Sequence, residues 1–246
     1  MLRIATILLS ALAGLAGPAS AAQGPCTRQT LQQHAVVVCI ARPQAHAIRT
    51  LWKDARGTPY GSLSGIASTA SPATGPMLFA MNAGMYHPDL TPVGLYIENG
   101  TELHRANTNP GPGNFHMRPN GVFYVAGRTA GVMETQRFLK SRIRADFASQ
   151  SGPMLLIDGK LHPRINGQGT SAKIRNGVGI RTDGTAVFVI SDEPVTFSAF
   201  ARMFRDDLKT RNALYFDGSI SSLYAPSAGR ADRFMPVGPI VAVFSR

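Results

Sequence analysis

Asp217 ends a short apolar run, Ala213-Leu214-Tyr215-Phe216, and is followed by Gly218 and the hydroxyls of Ser219, Ser221 and Ser222. A carboxylate at a strand tip, beside a residue with no side chain and several small hydroxyls, can meet a ligand as a nucleophile or general base. The plainer alternative is a carboxylate that caps its own turn. Two other Asp-Gly pairs give a comparison. Asp158-Gly159 and Asp183-Gly184 each join two apolar runs directly and read as ordinary hairpin turns. Asp217-Gly218 opens into a serine-rich loop instead. Four more segments end in a polar residue next to glycine: Asn82-Ala83-Gly84, Pro119-Asn120-Gly121, Ser151-Gly152-Pro153 and Arg175-Asn176-Gly177. Each alone is turn chemistry. Together they would set amides, hydroxyls, a guanidinium and one carboxylate around a polar, sugar-sized pocket.

These blocks, in this order, resemble the phosphodiester glycosidase family. The first is Asn82-Ala-Gly-Met-Tyr86, followed by Pro92-Val-Gly-Leu95 with Asn99-Gly100, then Pro119-Asn-Gly-Val-Phe123. Next come Ser151-Gly-Pro-Met-Leu155 with Asp158-Gly159, Arg175-Asn-Gly-Val-Gly179, and Leu214-Tyr-Phe-Asp-Gly-Ser219 with Ser221-Ser222. The likeness covers about residues 77–224. It departs from the family pattern at Gly218-Ser219-Ile220, where a run of glycines is usual. It departs again at Ala83, Met85 and Tyr86, where Asn-Gly-Gly-Phe-Phe is common. The resemblance implies hydrolysis of a sugar phosphodiester to free sugar and a phosphomonoester, with Asn82, Arg175, Asp217 and the serines after it in the pocket.

That reaction suits these residue types. Breaking a glycosidic bond passes through an oxocarbenium-like state that a nearby carboxylate stabilises or traps. A phosphomonoester leaves readily, so weak acid assistance suffices if a cation holds the phosphate. Arg175 is the candidate cation, because a guanidinium fork matches phosphate oxygens; the alternative is a surface strand residue. Asn82, Asn120, Ser221 and Ser222 would hydrogen-bond the sugar and phosphate, and Tyr86, Ser151, Gly152 and Gly218 would complete the lining. Asp89, Asp192 and Glu193 are the candidates for a second carboxylate. A non-catalytic carbohydrate- or phosphate-binding module is the competing reading.

Other chemistries find less support. His87-Pro88-Asp89 is at most a fragment of a metal site, and no His-x-x-x-His spacing occurs. His162 with Ser151 lacks the Gly-x-Ser-x-Gly elbow of a serine hydrolase. No dinucleotide or Walker loop is present. No metal ligands or cofactor are expected, with a bound divalent cation left open.

The elements that would carry these residues are short strands. Residues 35–40, 47–52, 77–81, 93–98, 101–105, 120–126, 154–161, 177–190 and 239–244 read as strands or hairpins, Asn99-Gly100 giving the clearest turn. One helix is firm, 198–209, with Phe200, Met203, Phe204 and Leu208 on one face, Ser198 as its cap and Lys209 at its end. Residues 60–70 and 135–140 offer one or two short helices, and 72–76 a turn. The fold class expected is α+β, strand-dominated, with mixed sheets.

Residues 1–21 read as a signal peptide: Arg3, an apolar stretch from Ile4 to Ala16, then Ala19-Ser20-Ala21. Residues 22–246 would form a single domain, periplasmic or secreted, with no stable membrane span after signal removal. Without Arg3 the chain carries 24 Lys+Arg against 14 Asp+Glu. These cations are scattered, which suits a small-molecule or polymeric sugar-phosphodiester substrate better than a nucleic acid. Oligomeric state is left open. Cys26 and Cys39, the only cysteines, would pair in an oxidising compartment and tie down the N-terminus, adding up to about 3 kcal/mol.

Overall fold

The computed structural model describes residues 24–69 and 75–246. The expected signal segment, and most of the turn at 72–76, lie outside the described residues. Within them the strand-dominated α+β expectation holds. A seven-stranded sheet runs Cys26–Leu31, His34–Ala41, Ala186–Ser191, Asn176–Arg181, Thr210–Asp217, Met154–Ile157, Lys160–Leu161. A five-stranded sheet runs Arg230–Ala231, Leu223–Ala225, Met77–Asn82, Ile240–Ser245, His46–Leu51. The other five-stranded sheet runs Thr101–His104, Tyr96–Glu98, Phe147–Ser151, Gly121–Ala126, Thr129–Glu134. Where mixed pairing was expected, every pair among the described strands is antiparallel. Several successive strands are joined by tight hairpins, and a parallel pair would need a long crossover.

The inner faces of the three sheets share one core. Phe79, Phe123, Phe188 and Phe216 meet there edge to face, with ring centroids 5.4 to 6.3 Å apart. The opposite face of the seven-stranded sheet is covered by the helical segment Phe197–Arg202, which continues as a π turn over Met203–Asp207. Phe200, Met203, Phe204 and Leu208 are buried against that sheet, so the apolar stripe is core. The helix starts one residue earlier than expected. Thr196 Oγ1 caps it by accepting from Ala199 N at 3.2 Å, which frees Ser198 Oγ to accept from Arg202 Nη1 at 2.6 Å.

Turn chemistry is as the dipeptides demand. Asn99-Gly100 and Asp158-Gly159 both have positive φ at the two central positions, the type I′ signature. Cys26 and Cys39 sit opposite each other in the first hairpin and form a disulfide. Gln32 and Gln33 turn that hairpin with positive φ.

Four strand ends meet at one end of the core. Met77–Asn82 ends where Asn176–Arg181 begins, Thr210–Asp217 ends beside Asn176, and Leu223–Ala225 pairs back onto Met81. The chain between Asp217 and Leu223 therefore arches over the junction of two sheets.

Candidate active site

Asn82 and Asn176 clamp that junction. Asn82 Oδ1 accepts from Asn176 Nδ2 and from Ser222 N, each at 2.8 Å. Asn176 Oδ1 accepts from Asp217 N at 3.0 Å. Both amides are fully buried, and these bonds fix their orientation. Asn82 Nδ2 is then left buried without a partner. Such an orphan costs about 1–3 kcal/mol, so a ligand atom there is the natural counterpart.

The Asp217 carboxylate caps its own turn, Oδ1 accepting from Gly218 N at 2.5 Å and Ser219 N at 2.7 Å. Burial pushes its carboxyl above the usual aspartate range, against the backbone N–H groups of Ser219, Gly218 and Ile220. Neither Asp217 nor Gly218 has a positive φ, unlike the hairpin pairs. Gly218 is there for space. A Cβ at that position would lie 1.9 Å from the hydroxyl oxygen of Tyr215. Tyr215 thus passes its hydroxyl under the loop, beside the carboxylate.

Arg175 is neither on the surface nor open to solvent; it is fully buried. Its Nε donates to Val195 O and its Nη2 to Ser171 O, both at 2.8 Å. The guanidinium lies 3.6 Å above the Phe197 ring and 5.3 Å from the Tyr215 ring centroid. No carboxylate pairs with it among the described residues, and its Nη1 is unpartnered. A buried cation without a counterion costs several kcal/mol. Tyr215 stands between the two charged groups. Burial raises its hydroxyl pKa, the nearby Arg175 opposes that shift, and Asp217 adds to it. Neither Arg175 nor Asn114 reaches this hydroxyl with hydrogen-bond geometry.

The remaining expected site residues divide. Tyr86 is held by its hydroxyl to Pro236 O at 2.9 Å; burial first, then the Asp217 charge, raises its pKa. Ser222 is buried and Ser221 partly exposed. The Ser221 hydroxyl lies 2.9 Å from Asp217 O, within its own loop, and 3.0 Å from Ile174 O, in the segment that leads into Arg175. Asn120 and Ser151 have their bonds spent on the frame: Asn120 Nδ2 donates to Phe115 O and its Oδ1 accepts from Thr135 Oγ1, while Ser151 Oγ donates to Phe216 O. Gly152 admits the 114–115 backbone, since a Cβ there would lie 2.6 Å from Phe115 O. Asp89 closes a local turn onto Thr91, Asp192 pairs with Arg28 and Arg230, and Glu193 with His34. None of these three has Asp217 among its contacts. Among the described residues no three of His, Cys, Asp and Glu gather as a metal site. Asn176 and Tyr215 also lie at this junction, although the sequence alone offers the one as a turn amide and the other as part of a buried strand.

Comparison with known proteins places the fold and the family. The chain is 41% identical over 182 residues to the uncharacterized protein YigE of Escherichia coli (strain K12), covering 74% of this chain and 71% of that one. The zebrafish N-acetylglucosamine-1-phosphodiester alpha-N-acetylglucosaminidase catalytic domain, auto-inhibited by its pro-peptide, shares the fold. Its TM-score is 0.62 at 13% identity, over 90% of this chain and 82% of that one. A hypothetical protein from Synechocystis shares it with a TM-score of 0.53 at 12% identity, over 90% of this chain and 61% of that one. The model of the phosphodiester glycosidase family matches residues 76–244, which takes in all four strand ends, and the chain belongs to that family.

Proposed function

We propose that the protein is an exported hydrolase that cleaves the glycosidic bond of a sugar-1-phosphodiester, releasing the sugar and a phosphomonoester. Envelope or exopolysaccharide metabolism is the setting that fits. The observation that carries this reading is the set of unpartnered buried groups around Asp217: Asn82 Nδ2, Arg175 Nη1 and the Tyr215 hydroxyl. Two donors and a hydroxyl with no protein partner, beside one carboxylate, call for an oxygen-rich anionic ligand. Family membership supplies the reaction type. The disulfide supports a location outside the cytoplasm, and no helix among the described residues is long and apolar enough to cross a membrane.

In this reading Asp217 acts at the anomeric carbon, as nucleophile or as base toward water. The bond from that carbon to the phosphate oxygen breaks, its electron pair leaves with the phosphomonoester, and the water oxygen ends on the sugar. Arg175 offsets negative charge on the phosphate through its field, undiminished by bulk water because it is buried. Asn82, Tyr86, Ser221, Ser222 and Gly218 surround the sugar. Asn120, Ser151 and Gly152 act one step back, by holding the 114–120 segment and the strand that bears Asp217.

A module that binds the diester without cleaving it is the competing reading, favoured by the two N–H groups already occupying Asp217 Oδ1. The test is Asp217→Asn, assayed for sugar release from a synthetic sugar-1-phosphodiester and for diester binding by calorimetry. Expected are loss of turnover by about a thousandfold or more with binding retained and the melting curve little changed. Full hydrolysis by that variant removes Asp217 from the reaction. Binding without cleavage by the unaltered protein selects the module.

A further inference from the structure

Beside Phe197, the 114–117 and 164–171 segments line a cavity of about 240 Å³ together with the start of the Phe197–Arg202 helix. Met117, Ile165 and Phe197 give it an apolar floor, Asn114 and Ser171 a polar wall, and Arg164 its one charge. No acidic residue lines it. Three of these residues also belong to the surroundings of Arg175 and Tyr215. Phe197 carries the Arg175 guanidinium on its face and meets Tyr215 edge-on, with centroids 4.8 Å apart. Ser171 O accepts from Arg175 Nη2. Asn114 borders the Tyr215 hydroxyl. The root of the 164–171 segment is fixed by buried His162, whose Nδ1 accepts from Arg164 N at 3.1 Å and whose carbonyl accepts from Ile165 N at 2.8 Å. The cavity is thus a built feature, and among the described residues Arg164 pairs with no carboxylate.

We propose that this cavity receives the alcohol half of the phosphodiester, and that the preferred alcohol carries a second anionic group which Arg164 meets. The inference rests on the reading above and extends it. If the anomeric carbon lies at Asp217 and the phosphate at Arg175 and Tyr215, the third component of the diester is delivered toward Asn114 and the cavity. An apolar floor suits the C–H face of that component, and the polar wall its hydroxyls. An unpaired guanidinium with no acidic neighbour in the lining selects against a cationic alcohol and for a carboxylate or phosphate.

The experiment compares diesters that share one sugar and differ in the alcohol: methanol, a neutral polyol, the same polyol bearing a carboxylate, the same bearing a phosphate, and choline. Each is assayed with the unaltered protein, Arg164→Gln and Met117→Trp, and its binding is measured by calorimetry so that affinity is read even without turnover. The methyl diester, too small to reach Arg164, is the reference within each protein. Expected is an affinity for the anionic polyol diesters about fivefold above the neutral one, an exposed charge pair being partly screened. Arg164→Gln erases that ratio, and Met117→Trp weakens every polyol diester relative to the methyl one. The carboxylate and phosphate arms identify which anion is preferred. An unaltered protein that treats all five alcohols alike, prefers choline, or keeps its anionic preference without Arg164 overturns the proposal. Turnover of the methyl diester then still stands for the hydrolase, so the two readings fail separately.

Discussion

Gly218 and Tyr215 form the tightest side-chain constraint at the site, and they can be tested as a pair. The tyrosine is fully buried, with Phe197 edge-on against it and Arg175 beside it, so its ring has nowhere to withdraw. A methyl group at 218 would fall 1.9 Å from the hydroxyl oxygen and 3.2 Å from the ring carbon bearing it. Overpacking of this kind costs about 1–3 kcal/mol. Gly218→Ala is therefore expected to lower stability by that amount, and by clearly less when Tyr215→Phe has already removed the oxygen. Urea melts of the four proteins in the cycle measure the coupling. Equal costs in both backgrounds would show that the hydroxyl is not what requires glycine there. The same pair explains why Asp217-Gly218 differs from the two other Asp-Gly turns: its glycine supplies room, while theirs supply positive φ.

At the scale of elements, what a dipeptide or a periodic stripe dictates locally could be read in advance. Asn99-Gly100 closes its hairpin and the Phe200–Leu208 stripe faces the core, because backbone propensity and burial act within a few residues. Cys26–Leu31 carries no strand pattern of its own because its middle residues are polar; it forms through pairing with His34–Ala41. Thr129–Glu134 is weakly patterned, with Gly131 at its centre, and is likewise set by its partner, Gly121–Ala126. In the site, Asp217, Arg175 and Asn82 stand out by residue type, whereas the clamp role of Asn176 and the reach of Tyr215 depend on partners 94 and 3 positions away. The disulfide adds a prediction at this scale. It spans 13 residues of a hairpin that already turns tightly at Gln32-Gln33 and lies three strands from Thr210–Asp217. Replacing both cysteines with serine is expected to cost about 2–3 kcal/mol, read as a lower melting temperature, with turnover at 25 °C unchanged. Lost turnover without lost stability would mean that the first hairpin reaches the site in a way its position does not suggest.

For the whole molecule, the sequence carries a formal net charge of +11, and two kinds of positive charge must be kept apart. Arg175 is buried in protein, where mobile ions do not enter. Most other cations, Arg164 among them, sit at the surface and act on a substrate only while it approaches or lodges at the rim. The Debye length shrinks from about 30 Å at 0.01 M salt to under 8 Å above 0.15 M, so added salt silences the second kind and spares the first. If the substrate is an anionic diester, kcat/KM is expected to fall about three- to tenfold between roughly 0.01 M and 0.3 M sodium chloride, almost entirely through KM, while kcat stays within a factor of about two. Steady-state kinetics on one diester across that range reads both numbers. A fall in kcat of the same size as the rise in KM would place the phosphate on exposed cations. Arg175 would then be only the buried prop that its bonds to Val195 and Ser171 make it.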